Sequence, residues 1–283
     1  MTPHRRVGRA LLVAPALVPV VVVVGTGLTA TALQSTGLMP LVGRAAPTLD
    51  AFRGAAADEE LVRSAALSLA IASVSTVLAV AVGFLLAVAV LDGRAGGRLV
   101  RVAAVATIPV PHVVGAASIG LLLSDSGVVA RLSGADGGGM PQLVAGPWWV
   151  ATVAEYAWKE SAFVAVVVLA SLARQHGELT EVATSLGARP FQRLRRVTLP
   201  LAAPSLVAAG GIAFAYALGS YEVPWLLGRT APEPLPVLAY RLFTDLDLTT
   251  RPQAAAVGMV TIAVAVIVLA GTAALLRTIP RSS

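Results

Sequence analysis

Six long apolar runs dominate the hydropathy pattern of the chain, and short polar stretches separate them. Each run could cross a hydrocarbon core of about 30 Å as a helix that rises about 1.5 Å per residue. Prolines within several runs would kink these helices without excluding them, because neighbouring helices can satisfy the carbonyls that a proline frees. The pattern predicts an all-α polytopic membrane protein whose six transmembrane helices cover residues 10–33, 65–91, 99–123, 147–172, 203–227 and 254–276.

Composition separates this chain from soluble proteins. Of its 283 residues, 57% are hydrophobic and 13% are charged, and the mean hydropathy is +0.81. Soluble domains carry roughly 25% charged residues, so this composition is typical of a membrane protein. Cysteine is absent, and the three histidines lie far apart, at positions 4, 112 and 176. We therefore expect no cofactor, no metal site, no disulfide framework and no thiol chemistry.

The basic residues favour one orientation in the membrane. If the N-terminus lies inside, the cytoplasmic segments hold 13 of the 21 basic residues and three of the 15 acidic residues. This positive-inside bias places both ends, residues 1–9 and 277–283, in the cytoplasm. It also explains most of the net charge of +6 without any binding of nucleic acid. The first run could instead be a cleavable signal peptide, but it exceeds the roughly 7–15 apolar residues of such peptides and no clear A-x-A site follows it.

The loop between the fourth and fifth runs contains an amphipathic pattern. Four apolar residues spaced i, i+3, i+4 and i+7 would share one helix face, namely Leu179, Val182, Ala183 and Leu186. Glu178 and Glu181 would lie in the first turn, where the helix dipole favours a carboxylate. Gly187 can adopt the left-handed conformation that ends a helix, and Pro190 prevents its continuation. We predict a helix over residues 178–186, which could dock on a partner, rest on lipid headgroups or form a capped surface turn.

A spaced motif runs through the same loop. It reads Glu181-Val182-Ala183, three residues, Gly187, nine residues, Val197, one residue and Leu199-Pro200. This spacing resembles the EAA loop of binding-protein-dependent ABC-transporter permeases, with valines in place of the second-position alanine and of the isoleucine. In that family the loop carries the coupling helix, which enters a groove on the ATPase. The resemblance favours docking and implies ATPase coupling for Glu181, Val182, Ala183, Leu186, Gly187, Leu199 and Pro200.

A second stretch narrows the resemblance, which covers roughly residues 60–276. GSYEVPWLLGRTAPEPLPVLAYRLFTDLDLTTRPQAAAVGMV looks like the segment after the EAA loop in the polyamine, iron(III), thiamine and phosphonate branch. The resemblance implies a type I ABC importer permease fold in the bacterial plasma (inner) membrane. It implies as partners two ABC ATP-binding subunits, a second permease subunit of the same or a sister chain, and an extracytoplasmic substrate-binding protein.

The chain has no ATP-binding motif of its own. A phosphate-binding loop needs a Gly-Lys pair after a glycine-rich turn, whereas the single lysine, Lys159, follows Trp158 inside an apolar run. A separate subunit would therefore hydrolyse ATP. An ATPase-independent secondary transporter or channel would more typically show inverted repeats or broken-helix ion sites, and a membrane-embedded enzyme would need a catalytic cluster, which we do not find. We expect a transport subunit without catalytic residues.

Charged residues lie within two of the apolar runs. Glu155 and Lys159 are spaced for a helical ion pair, Glu160 follows directly, and Tyr221 and Glu222 lie near the outer end of the fifth run. Charges at membrane depth are costly and usually face a cavity, a partner or the bundle interior. These residues either line a translocation path or serve structure, as an ion pair and as acids that reach the outer interface. An acidic path would suit a cation such as a polyamine; iron(III), thiamine, phosphonate or sugar stay open.

The orientation can be tested directly in this cysteine-free chain. Single cysteines at Ser133 and Thr230, in two predicted outer loops, should react with a membrane-impermeant maleimide in intact cells. A cysteine at Ser185, in the predicted cytoplasmic loop, is the matched control and should react only after the cells are opened. Labelling of the Ser185 variant alone in intact cells would reverse the topology.

Overall fold

A computed structural model describes residues 3–93, 97–134, 139–173 and 175–279. The predicted cytoplasmic ends, residues 1–9 and 277–283, lie partly outside these ranges. Within them the chain is helical and contains no strand. A π-helical turn, Leu194–Thr198, joins α9 to α10, and a 3₁₀ turn, Leu248–Thr250, precedes α13. The described α-helices are α1 (Pro3–Ser35), α2 (Asp50–Ala57), α3 (Glu59–Leu91), α4 (Gly97–Thr107), α5 (His112–Leu123), α6 (Val128–Ser133), α7 (Val150–Leu172), α8 (His176–Ser185), α9 (Pro190–Arg193), α10 (Leu199–Gly219), α11 (Glu222–Leu227), α12 (Leu235–Thr244) and α13 (Arg251–Thr278).

Five helical segments are long and apolar enough to cross a membrane, namely Val13–Ser35, Glu59–Leu91, His112–Ser133, Pro190–Gly219 and Leu248–Thr278. The helix α7 also has the length of a span but carries three charged residues, Glu155, Lys159 and Glu160. Together α7 and α8 form a sixth candidate that bends by 72° at the break between them. The described part of the chain thus contains five or six candidate spans, and the predicted count of six depends on α7.

Two predicted spans are broken in the structure. Residues 99–123 form two helices, because the break that follows Thr107 contains Pro109 and Pro111, which donate no backbone hydrogen bond and disfavour helix before them. Residues 203–227 are also divided, since α10 ends at Gly219 and α11 begins at Glu222. Pro224 explains the second break, because its ring would clash with the carbonyl four residues earlier in a continuous helix.

The chain divides into two compact units. The first comprises Met1–Leu61 and Leu238–Val260. Within it an ion pair joins Arg241 Nη2 to Glu60 Oε1 at 2.8 Å. The guanidinium of Arg251 lies 4.0 Å from the centre of the Phe243 ring, a cation–π contact.

The second unit comprises Val62–Val237 and Thr261–Ser283 and contains the charged residues of α7 and the amphipathic helix α8. Its central helix is α7, which contacts α4, α5, α10 and α11. One apolar cluster surrounds Tyr156 and a second contains Val164 and Val168, and all three side chains are fully buried. The three charged residues of α7 are buried as well, so they face other parts of the protein.

Close packing of α3 against α7 generates a prediction. A Cβ atom on Gly83 would lie 2.6 Å from the Ser161 carbonyl oxygen and 2.7 Å from Val164 Cβ, so one of the helices would have to move. We expect Gly83→Ala to destabilise the protein by about 1–3 kcal/mol, the usual cost of overpacking. The control is Gly271→Ala in α13, where nothing lies within 4 Å of the added methyl group. Equal thermal unfolding of the two variants in detergent would contradict the close approach.

Candidate functional site

The break between α4 and α5 is bound by a charged side chain of α7. The Lys159 ammonium donates hydrogen bonds to the carbonyl oxygens of Thr107 and Val110, both at 2.6 Å. The last carbonyls of a helix have no partner within it, and a cation near a helix C-terminus interacts favourably with the helix dipole. Lys159 therefore supplies, at a buried position, the hydrogen-bond donors that the interrupted backbone lacks.

His112, the first residue of α5, contacts both acids of α7. Its Nδ1 lies 3.0 Å from Glu155 Oε1, and its Nε2 lies 3.6 Å from Glu160 Oε1. Among the described ion pairs none joins Glu155 to Lys159, so the intrahelical pair considered from the sequence is not formed. The reason is tertiary, because Lys159 is directed to the helix break and His112 takes its place beside Glu155.

Room for this cluster comes from a glycine. A Cβ atom on Gly115 would lie 2.9 Å from Glu155 Oε1 and 3.6 Å from Lys159 Cδ. A larger residue would therefore displace the charged side chains. The other carboxylate oxygen, Glu155 Oε2, is buried and has no hydrogen-bond partner among the described residues. A buried polar atom without a partner is costly and therefore rare. Where one is present it calls for an explanation, and a functional role is one of those known.

Two clefts adjoin the cluster and share Tyr216. The first has a volume of about 260 Å³ and is lined by His112, Lys159, Glu160 and Tyr216, together with three apolar side chains. The centres of the His112 and Tyr216 rings are 4.5 Å apart. The second cleft, of about 440 Å³, is lined by Tyr216, Tyr221 and Glu222. The structure therefore brings Glu155, Lys159 and Glu160 together, and it places Tyr221 and Glu222 on a separate cleft.

The amphipathic helix predicted in the loop between the fourth and fifth runs is present as α8. It runs from His176 to Ser185, so it begins two residues before the predicted 178–186, and Glu181 lies beyond the first turn, in which only Glu178 is acidic. Gly187 is left-handed, with φ of +77°, as predicted. The amide of Gly187 donates to the Thr184 carbonyl and the amide of Ala188 to the Ala183 carbonyl, both at 2.9 Å. This pair of hydrogen bonds is the Schellman motif, which fixes the direction in which the chain leaves the helix.

The apolar residues of α8 form an exposed surface. Leu179, Val182 and Leu186 expose 42%, 58% and 82% of their area, whereas Ala183 is half-buried. Phe191 is also 70% exposed on the following short helix, and the sequence pattern did not identify it. Glu181, Leu199 and Pro200 are exposed as well. An exposed apolar surface of this kind suits contact with another protein or with lipid headgroups.

The other side of α8 begins with a buried histidine. His176 Nε2 lies 3.2 Å from Thr198 Oγ1, at the end of the π-helical turn, and both residues are buried. Burial lowers the pKa of the His176 imidazole; Asp92 opposes this effect and Arg193 adds to it. The sequence pattern did not identify the His176 contact, since 22 residues separate the partners, and it missed His112 for the same reason.

Comparisons with known proteins agree with this architecture. Residues 79–279 match the family model described as the binding-protein-dependent transport system inner membrane component. PhnV of Salmonella paratyphi A, which is named for a 2-aminoethylphosphonate transport system, is 30% identical over 129 residues, or 46% of this chain and 47% of that protein. The chain thus spans about half the length of the curated relatives that it matches.

Solved structures share the fold. A bacterial ABC transporter involved in import of the acidic polysaccharide alginate superposes with a TM-score of 0.74 at 21% identity, covering 98% of this chain and 99% of that chain. The MetNI methionine ABC transporter superposes with a TM-score of 0.60 at 19% identity, covering 78% and 96%. Because the family model covers most of the sequence, this all-α, multi-pass protein belongs to the family of inner membrane components of binding-protein-dependent transport systems.

Proposed function

We propose that this chain is the permease subunit of an ATP-driven ABC importer, with both termini in the cytoplasm. Membership of the transport family supports the general role. The observation that carries the coupling role is the exposed apolar surface of α8, which ends at left-handed Gly187. In this proposal Glu181, Val182, Ala183, Leu186, Gly187, Leu199 and Pro200 form the element that an ATPase subunit engages.

The proposed partners are two ATP-binding subunits, a second permease subunit of the same or a sister chain, and a substrate-binding protein outside the membrane. The alginate transporter, which has a similar fold, was solved in complex with a periplasmic protein bound to an alginate pentasaccharide, and this supports a binding-protein partner. The sequence supports the ATPase partner, because its single lysine has no phosphate-binding loop around it.

The mechanism that follows is alternating access. Closure of the ATPase subunits around ATP moves α8, and the membrane helices then open toward the loaded binding protein; hydrolysis resets the assembly. In this cycle the chain makes and breaks no covalent bond. It transmits movement and provides the path, so the stiffness of the end of α8 matters more than any reactive group.

The charged clefts favour a cargo that carries an ammonium group. The Glu160 carboxylate lines the first cleft together with the Lys159 ammonium, and that ammonium is already bonded to two carbonyl oxygens. Glu222 adds a second carboxylate in the cleft beyond Tyr216. A cationic cargo would find carboxylates and an aromatic ring along this path, which are the groups that bind ammonium ions best. Polyamines have this chemistry, and so does the amine of 2-aminoethylphosphonate, named in its relative.

The coupling role predicts a specific response at Gly187. Gly187→Val should abolish most stimulation of ATP hydrolysis by loaded binding protein, because a β-branched residue in the left-handed region costs on the order of 1–2 kcal/mol and redirects the helix end. Gly187→Asn should retain much of it, since asparagine tolerates this conformation. The measurement is ATPase activity and uptake by the complex reconstituted in liposomes.

The matched control is Gly177→Val, at the other end of α8, where no neighbour lies within 4 Å and the backbone is not left-handed. This variant should behave like the wild type. If Gly187→Val keeps full stimulation and uptake, α8 is not the coupling element.

The path role predicts an effect of neutralising the cleft acids. Glu160→Gln and Glu222→Gln should each raise the KM for uptake of an ammonium-bearing cargo by on the order of tenfold or more, because a charge-assisted hydrogen bond is lost. Labelled spermidine and 2-aminoethylphosphonate serve as probes in liposomes that contain the complex. Asp125→Asn, on an exposed position away from the clefts, should leave uptake unchanged. Wild-type kinetics for both glutamine variants would assign these acids to structure, and uptake of neither probe would leave the cargo among iron(III), thiamine and sugars.

A further inference from the structure

The chain that follows α8 forms one continuous helix, which is called the rod below. Residues Pro190–Gly219 run without interruption through α9, the π-helical turn Leu194–Thr198 and α10. The rod therefore begins beside α8 and ends just beyond Tyr216, the residue shared by the two clefts. π-Helical turns inside α-helices frequently lie at functional positions. A movement applied at the base of this rod would reach the clefts without crossing a loop.

Two polar contacts tie α8 to the base of the rod. At the start of α8, His176 Nε2 and Thr198 Oγ1 are 3.2 Å apart in a buried environment. Near its end, Arg193 Nη1 donates to Thr184 Oγ1 at 2.9 Å, in an exposed position. The buried contact carries more weight, because an exposed hydrogen bond competes with water whereas a buried group that loses its partner is left unsatisfied.

Apolar packing alone does not fill the space under α8. A cleft of about 290 Å³ lies there, and its lining includes Asp92, His176, Arg193 and Thr198. A helix that rests over a cleft can shift unless directional contacts hold it. The contact between His176 and Thr198 is such a constraint, because it joins α8, which carries the exposed side chains Leu179 and Val182, to the base of the rod.

We propose that His176 and Thr198 are positioning residues that transmit the movement of α8 to the rod Pro190–Gly219, and through it to Tyr216 in the clefts. This inference rests on the proposed coupling role of α8. It separates two functions within the loop, since the exposed apolar surface binds the ATPase and the buried polar pair passes the movement on. Neither residue contacts cargo or nucleotide in this scheme.

The test compares disruptive and conservative variants at both positions. Thr198→Val keeps the shape of the side chain and removes the hydroxyl, while Thr198→Ser keeps the hydroxyl. His176→Ala removes the ring, while His176→Gln retains a polar atom near the position of Nε2. Each variant is assembled with its ATPase subunits and reconstituted in liposomes with loaded binding protein. The readouts are co-purification of the ATPase subunits and the number of ATP molecules hydrolysed per cargo molecule transported.

Thr198→Val and His176→Ala should still bind the ATPase subunits but should hydrolyse about fivefold more ATP per transported molecule, the factor that corresponds to one net hydrogen bond. Thr198→Ser and His176→Gln should stay close to the wild type. The double variant His176→Ala/Thr198→Val should be no worse than either single variant, because the two residues act as one unit.

Three results would overturn the proposal. The first is a wild-type ratio in both disruptive variants, and the second is a loss in Thr198→Ser as large as that in Thr198→Val. The third is loss of ATPase binding along with coupling, which would assign the pair to folding of the loop. Failure of the coupling role itself is distinguishable, since Gly187→Val would then also leave stimulation intact.

Discussion

The arrangement of the second unit depends on one requirement, that backbone carbonyls inside a membrane protein find a hydrogen-bond donor. Water is scarce in the hydrocarbon region of a membrane, so an interrupted helix is tolerated there only where protein groups replace the missing bonds. Pro109 and Pro111 interrupt the helix, and the Lys159 ammonium donates to the carbonyls of Thr107 and Val110 at 2.6 Å each. A cation buried for this purpose needs acids nearby, because an isolated buried charge is far too costly. The break, the lysine and the acids of α7 therefore form one interdependent set.

The central position of α7 follows from the need to bury its three charged residues together. A helix with three charged residues cannot face lipid on all sides, and α7 is instead enclosed by α4, α5, α10 and α11. Glycines make the enclosure possible, since Gly83 lets α3 approach its backbone and Gly115 leaves space for the Glu155 carboxylate. His112 completes the cluster by contacting both acids. The result is a polar cluster inside the protein. Lys159 bonds it to the helix break on one side, and Lys159 and Glu160 line a cleft with Tyr216 on the other.

Two regions that are far apart along the sequence are connected by the rod Pro190–Gly219. Its lower end lies against α8, whose exposed apolar side chains offer a surface to a partner, and its upper end carries Tyr216 beside His112. Rigid secondary elements carry energetic coupling between sites when they have discrete arrangements. The Schellman motif at Gly187 and the buried contact of His176 with Thr198 constrain the rod at its base, where any force from a partner would enter.

Local features of this chain could be predicted from its sequence because they depend on neighbours in the chain. Hydropathy located most of the long apolar helices, and the glycine after an amphipathic stretch predicted the left-handed Gly187, since only nearby backbone atoms decide that conformation. The break at Pro109 and Pro111 was misjudged as a kink, because proline chemistry permits either outcome and the lysine that stabilises the break lies about fifty residues away. The i, i+4 spacing offered Glu155 as one possible partner of Lys159, and only the packing of the helices directs the ammonium to the carbonyls of Thr107 and Val110. His112 and His176 gave no local signal at all. Their roles come from contacts across 43 and 22 residues, which only the packing of helices could decide.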